Sequence, residues 1–274
     1  MFDDYAEEGW MEYGWTPGNG TSGGAATQCL TQQEYAFLNL PAGLLFSSAL
    51  FQGRYVRRRE RVRNMAIRST YTDRVLYYTG ECLDQFDLDV LLACAQHFPK
   101  QTSLAPLNLK LDLRAVSRTV LGRGGQSDLR RVVASLRRLE AGRIKVRDGR
   151  FTCFLQPVQK ALFDTLSNTC MIELNPEMLR SLQSLGNYQV FIRERFSLRK
   201  APMDRWLHGM VRASSSICIP FEGLPELSGN AKAQPGQVEE SLNRLRASMR
   251  LDHLSLSEGG LEISRQPRAA GGAR

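Results

Sequence analysis

Two stretches of the chain, 106 residues apart, carry nearly the same five letters, SLRRL at 135–139 and SLNRL at 241–245. Around each stretch the apolar residues recur at helical spacing, so they share one face of a helix. Each helix pattern then runs into two strand-like segments separated by a glycine-containing turn. A helix sized for the major groove followed by a hairpin is typical of the winged helix-turn-helix. The sequence therefore predicts two copies of one DNA-reading module.

The first copy predicts a helix over 128–140 and a basic hairpin, the wing, over 143–155, with its turn at Asp148-Gly149. Asp112 is expected to cap the preceding helix, which Gly122 ends. The side chains expected to face away from the core are Arg130, Arg131, Ser135, Arg137 and Arg138. Of these, Arg131 and Arg138 are the candidates for base edges. The hairpin supplies three candidates for phosphate contacts, namely Lys145, Arg147 and Arg150.

The second copy predicts a helix over 237–250 and strands over 251–257 and 261–264. Its outward positions are Asn243, Arg246 and Arg250, with Arg244 at the flank of the helix. We expect Asn243 and Arg246 to reach base edges and Arg250 to hold a phosphate.

The charge distribution favours a polyanionic partner, which we take to be double-stranded DNA. Residues 1–53 carry six acids and no Lys or Arg, so the overall charge of +8 leaves +14 on residues 54–274. Thirty of the 36 basic residues are Arg, whose planar fork suits phosphates and guanine edges. The densest run has seven arginines and one glutamate over 54–68. Two interpretations are open for Arg57, Arg58 and Arg59 in this run: they contact DNA phosphates, or they form a solvated face.

The pattern of elements predicts an α+β fold made of two tandem winged-helix domains with a disordered N-terminal arm. We expect an acidic, largely disordered arm over 1–40, the first domain over 41–165, the second over 166–265 and a flexible tail over 266–274. In the second domain we expect strands near 171–174 and 188–192 and a helix over 202–211. Exposed strand edges of the first domain allow self-association as a homodimer.

The cysteines and the apolar segments indicate an intracellular protein. The six cysteines form no C-x-x-C pair and lie among apolar residues, which predicts buried, reduced thiols and no zinc site. No stretch approaches the roughly 20 apolar residues that cross a bilayer. We therefore expect a soluble, cytoplasmic protein.

Residues 78–90, YTGECLDQFDLDV, resemble the signature of TrfA-type plasmid replication initiators, and the upstream Ser48-Ala49-Leu50-Phe51 is similar to a second motif of that family. The resemblance is close over about 43–155 and looser to about 265. It implies two winged-helix domains that bind direct repeats (iterons) at a plasmid origin and help open adjacent AT-rich duplex. It also implies recruitment of the host initiator ATPase and the replicative helicase.

Enzymatic functions are disfavoured. No phosphate-binding G-x-x-x-x-G-K-[ST] loop exists, and the three histidines are isolated from one another. The signature acids Asp84, Asp87 and Asp89 suit the first turn of a helix, where carboxylates accept free backbone amides; a Mg²⁺ site is the alternative. We expect no catalytic residue, metal or cofactor. The alternatives to an initiator are a winged-helix transcriptional repressor, which would bind an inverted repeat, and a protein-interaction scaffold with an incidentally basic surface.

Overall fold

The computed structural model describes residues 42–99, 108–185, 188–198, 201–214, 216–249, 254–257 and 260–264. The predicted arm and tail lie outside these residues. In chain order the first elements are α1 (Ala42–Phe46), β1 (Phe51–Gln52), β2 (Arg61–Ile67), β3 (Arg74–Glu81), β4 (Leu83–Asp84), α2 (Gln85–Ala95), β5 (Asn108–Asp112), α3 (Leu113–Leu121), α4 (Gln126–Ala141), β6 (Arg143–Asp148), β7 (Thr152–Leu155), β8 (Val158–Asp164), β9 (Thr169–Leu174), α5 (Pro176–Gln183) and α6 (Tyr188–Ser197). The remaining elements are α7 (Pro202–Ala213), β10 (Ser216–Pro220), a 3₁₀ turn (Phe221–Gly223), α8 (Leu224–Ser228), α9 (Pro235–Met249), β11 (Leu254–Ser257) and β12 (Gly260–Ser264).

The same topology occurs twice. In the first copy the order is α2, β5, α3, α4, an additional hairpin β6–β7 and then the hairpin β8–β9, and the sheet order is β5-β9-β8. In the second copy the order is α7, β10, α8, α9 and then the hairpin β11–β12, and the sheet order is β10-β12-β11. In both copies the strand that follows the first helix pairs antiparallel with the last strand of the hairpin. The chain therefore has an α+β fold with two winged-helix domains, as predicted.

The wing of the first domain is not the hairpin that the sequence pattern indicated. The predicted wing is β6–β7, and it pairs with β3 in a separate four-stranded sheet of order β2-β3-β6-β7. The topological wing is β8–β9, whose turn contains the predicted domain boundary at residue 165. Alternating residues and an Asp-Gly turn identify a hairpin, but they do not specify which strand it pairs with.

Two hydrophobic cores divide the chain later than residue 165. The first core runs from Leu44 to Ile192 and includes α5 and α6, whereas the second runs from Leu198 to Leu261. The predicted strand at 188–192 is the start of helix α6, with Phe191, Ile192 and Arg195 buried on one side. A short apolar run of this kind fits either period, so its neighbours in the fold decide the outcome.

The first domain also contacts the second. Trp206 Nε1 on α7 donates to the Ser48 carbonyl oxygen at 3.2 Å. Gly53 N donates to the Ser228 carbonyl oxygen at 2.7 Å. Gly209 leaves room for Phe46, since a Cβ at this glycine would lie 2.7 Å from Phe46 Cδ1. Backbone hydrogen bonds and close packing thus join the two domains.

The described cysteines are free. Cys82, Cys94 and Cys170 are buried, Cys153 is half-buried and Cys218 is exposed, so the prediction of buried thiols is wrong for Cys218. Its neighbour Ile219 is buried, and in a strand successive side chains point to opposite faces. Among the described residues, no helix is both long enough and apolar enough to cross a membrane.

Candidate nucleic-acid interface

Helix α4 occupies the position of a reading helix. Asp112 Oδ1 accepts from Arg114 N at 2.8 Å and starts α3, and Gly122 ends α3 with φ +75°. A short turn then leads into α4, which makes α3 and α4 a helix-turn-helix. The exposed side chains of α4 form a continuous stripe along its length: Gln126, Ser127, Arg130, Arg131, Ala134, Arg137 and Ala141.

Three exposed arginines on this stripe are held in different ways. The guanidinium of Arg131 lies 4.8 Å from the centre of the Phe86 ring, and that of Arg137 lies 5.6 Å from the centre of the Phe163 ring on β8. Stacking on an aromatic face orients a guanidinium while its N–H groups stay available. Arg130 is exposed and lines a groove. The helix therefore presents positive charge, partly pre-oriented, to solvent.

A groove with a volume of about 660 Å³ runs between α4 and the wing β8–β9. Its walls include Arg130 and Arg137 on α4, Phe163 and Asn168 on the wing, and Arg61 on β2. Glu140 at the end of α4 fixes the wing, because its Oε1 accepts from Ala161 N at 3.0 Å. The wing and the reading helix thus form one surface.

Arg138 and Ser135 do not face solvent, contrary to prediction. Arg138 Nη2 lies 2.6 Å and Ser135 Oγ lies 2.7 Å from Asp87 Oδ1 on α2. Ser135 is fully buried, and the Arg138 side chain is only 13 % accessible. Both positions flank the apolar stripe of α4, and a carboxylate across the helix interface draws them inward. Arg138 therefore fastens α4 to α2 rather than extending toward a ligand.

Arg59 belongs to the same buried cluster. Its guanidinium donates to Asp87 Oδ2 at 2.8 Å, to Asp84 Oδ2 at 2.9 Å and to the Cys82 carbonyl oxygen at 2.6 Å. Burial raises the pKa of Asp84, the charge of Asp87 raises it further, and Arg59 opposes both. Arg57 and Arg58 are exposed. Only these two of the three predicted arginines are therefore free of the buried cluster.

The signature acids hold the scaffold together. Asp84 and Asp87 form the capping box of α2, as the predicted first-turn role requires. Asp89 lies farther into the helix and pairs with Arg195 and Arg205. In the described part of the chain, no cluster of three His, Cys, Asp or Glu side chains suits a metal ion. A divalent cation at the signature acids would have to displace arginines from all three.

On the second reading helix, α9, the predicted residues also divide. Asn243 is exposed, and Arg246 is partly exposed with its Nη1 3.5 Å from Asn243 Oδ1. Arg244 instead makes a two-pronged ion pair with Asp204 on α7, at 2.8 and 2.7 Å. Its Nη1 also donates to Glu240 Oε1 at 2.6 Å. Arg250 lies outside the described residues.

The three basic residues of the predicted wing belong to the hairpin β6–β7 of the other sheet, with Lys145 and Arg147 on β6 and Arg150 in the turn. Lys145 Nζ is 4.9 Å from the centre of the Tyr77 ring, Arg147 is exposed on β6, and Arg150 stacks on Phe151 at 4.8 Å. None of them lines the groove beside α4.

These features define a tandem winged-helix protein with a basic first reading helix. No family model and no curated protein matches the chain. Its fold is similar to a solved structure of domains 2 and 3 of RctB, from Vibrio, with a TM-score of 0.50 and 12 % identity over 81 % of this chain and 96 % of that chain. A second structure of RctB domains 2–3 gives a TM-score of 0.47 and 12 % identity, covering 80 % and 85 % of the two chains. At this identity the likeness shows a shared fold.

Proposed function

We propose that this protein is a replication initiator that binds direct repeats in double-stranded DNA through α4 and α9. The observation that carries the proposal is the exposed stripe of Arg130, Arg131 and Arg137 on the second helix of a helix-turn-helix, beside a wing. Arginine suits both phosphate oxygens and guanine edges in a major groove. The fold shared with RctB, a chromosome replication initiator, supports initiation as the purpose of binding.

The narrower assignment is to plasmid origins with iterons, and it rests on the TrfA-type signature at 78–90. By that resemblance, binding opens an adjacent AT-rich duplex and brings in the host initiator ATPase and replicative helicase. The protein itself acts without catalysis or a cofactor. Among the strands that the structure describes, β2 and β7 are the outer strands of the four-stranded sheet and each leaves one edge open, which suits pairing with a second copy.

Footprinting of the purified protein across the DNA that flanks its own gene tests this proposal. Permanganate probing in the same experiment detects unpaired thymines. Protected direct repeats next to reactive thymines are expected. Protection of a single inverted repeat without reactive thymines would instead indicate a transcriptional repressor. Absence of any salt-sensitive DNA binding would leave only a protein-interaction scaffold.

A matched pair of variants tests the surface. Arg130→Ala removes a guanidinium from the groove, so affinity for any duplex should fall and the dependence of log K on log salt should weaken by about one unit. Arg147→Ala removes a guanidinium that is also exposed, from β6, outside the groove. A larger loss for Arg147→Ala than for Arg130→Ala would place the DNA on the four-stranded sheet instead.

A further inference from the structure

The two reading helices are held by the same device. Arg138 on α4 pairs with Asp87, the third residue of α2, and Arg244 on α9 pairs with Asp204, the third residue of α7. Ser135 and Ser241, three residues before each arginine, are buried beside these pairs. The leucines of the repeated motif are buried in both helices: Leu136, Leu139, Leu242 and Leu245. The residues that the two copies of the repeat share therefore have a structural role.

This common scaffold allows the exposed positions of the two helices to be matched one to one. Positions 106 residues apart have the same exposure over 130–132 and 134–141 and their counterparts 236–238 and 240–247, whereas Val133 is half-buried and Glu239 is exposed. The exposed pairs that differ are Arg130 with Gly236, Arg131 with Gln237, Ala134 with Glu240, and Arg137 with Asn243; the exposed pair Ala141 and Ala247 is identical. Buried residues agree between the copies, whereas these exposed residues do not. Both helices are fixed alike against their first helix, and from 130 to 141 the residues that differ between the copies lie at exposed or half-buried positions.

The matched surfaces also differ in charge. The four positions on α4 carry three arginines, and those on α9 carry none. Glu240 adds a negative charge on α9, which Arg244 balances at 2.6 Å. The first reading helix thus presents strong positive charge. The second presents the amides of Gln237 and Asn243, the exposed acid Glu239 and one half-buried arginine, Arg246. Phosphate attraction must come mainly from the first reading helix, and the second must contribute through hydrogen bonds to bases.

We propose that the one residue that differs between the two copies of the five-residue repeat sets the sequence preference of each domain. Arg137 of the first copy reads guanine and Asn243 of the second reads adenine, in the two halves of one site. This inference rests on the proposed function. Arginine matches the O6 and N7 acceptors of guanine, and asparagine matches the N7 acceptor and N6 donor of adenine. Phe163 supports the Arg137 guanidinium at 5.6 Å, and Asn243 is exposed at the matched position. The two halves of the site are therefore different sequences, and the site is not a palindrome.

Selection of bound duplexes from a randomised library, with the full chain and two exchanged variants, tests the inference. Asn243→Arg should convert one adenine of the selected motif to guanine, with a change in preference of roughly tenfold or more. Arg137→Asn should make the converse change at a guanine in the other half. Both positions are exposed, so both variants should unfold at the same denaturant concentration as the parent chain.

Arg193→Asn is the control for the exchange, because it makes the same chemical change at an exposed position of α6 that does not line the groove. It should return the parent motif. A parent motif that neither exchanged variant alters would overturn this inference and leave DNA binding intact. A parent chain that selects no motif at all would overturn the proposed function, and the inference with it.

Discussion

Arg195 Nε lies 2.7 Å from Asp89 Oδ1, and both side chains are inaccessible to solvent. Arg205 of α7 pairs with the other oxygen of Asp89, and Arg195 Nη1 donates to the Arg205 carbonyl oxygen at 2.8 Å. Arg195 Nη2 donates to Gln85 Oε1 at 2.7 Å. Burial lowers the pKa of Arg195 to about 9, so the guanidinium stays charged at neutral pH. One carboxylate on α2 thus joins α6 of the first domain to α7 of the second.

Asp89→Asn should destabilise the protein strongly. The change keeps the size of the side chain but leaves two buried guanidinium groups without a counter-charge, which costs about 3 to 5 kcal/mol when a buried pair is broken. Urea unfolding at neutral pH measures the loss. Glu226→Gln is the control, because its ion pair with Arg68 is exposed, with side chains 64 % and 75 % accessible. That variant should lose less than about 1 kcal/mol. Similar losses in both variants would contradict the role of Asp89.

Arg138→Ala should reduce stability rather than sequence preference. Removing this guanidinium takes two hydrogen bonds away from the buried carboxylate of Asp87, which costs about 2 kcal/mol. Arg137→Ala, at the adjacent exposed position, should change stability by less than about 0.5 kcal/mol. Thermal unfolding of the two variants gives the comparison. If Arg138→Ala unfolds like the parent chain, the contact with Asp87 contributes nothing.

Gly80→Ala should destabilise the exit of β3. Gly80 has φ +144°, and a Cβ there would lie 2.6 Å from Tyr78 Oη and 3.2 Å from Gly142 Cα. Tyr78 is buried and donates to the Glu81 carbonyl oxygen at 2.9 Å, so it has little room to move. We expect a loss of about 2 kcal/mol or more in denaturant unfolding. Gly149→Ala is the control, since nothing lies within 4 Å of its Cβ position, and it should be nearly neutral.

His208 should make stability fall in mild acid. Its ring is buried and stacks on Phe191 with centroids 4.9 Å apart. Burial lowers its pKa from 6.5 to about 4, although Glu194, 3.5 Å from Nε2, acts in the opposite direction; the charges of Arg195 and Arg212 lower it further. Below pH 6.5 the unfolded chain binds a proton that the folded protein excludes. The free energy of unfolding should therefore drop by about 2 kcal/mol between pH 7 and pH 5.

Urea unfolding of His208→Gln at the two pH values isolates this contribution from that of the carboxylates. The variant should lose less stability on acidification than the parent chain. His97→Gln changes an exposed histidine and should keep the parent dependence. An unchanged pH dependence in His208→Gln would show that the histidine is protonated equally in the folded and unfolded states.

Local signals predicted the elements well, and long-range pairing limited the rest. Helix α3 begins after Asp112 and ends at Gly122, as the capping chemistry of these residues requires. Helices α4 and α9 both form where the repeat predicted helices. The sequence pattern predicts the wrong hairpin as the wing, because strand pairing with β5 depends on residues far away in the sequence. Arg138 was assigned to solvent because helical periodicity places it at the border of the buried face. Arg138 and Ser135, three residues before it, both recur in the second copy as Arg244 and Ser241. This recurrence was the available signal for a structural role.

The ion cluster around Asp89 has a geometric consequence for any DNA that the two domains share. Each base pair added between two half-sites shifts the far half by about 3.4 Å along the duplex and turns it by about 34°. The two winged-helix domains are joined through α2, α6 and α7. They cannot follow this combined shift and rotation without breaking buried charge pairs. Binding would then depend on the length of the spacer between the half-sites as much as on the base sequence of the half-sites themselves.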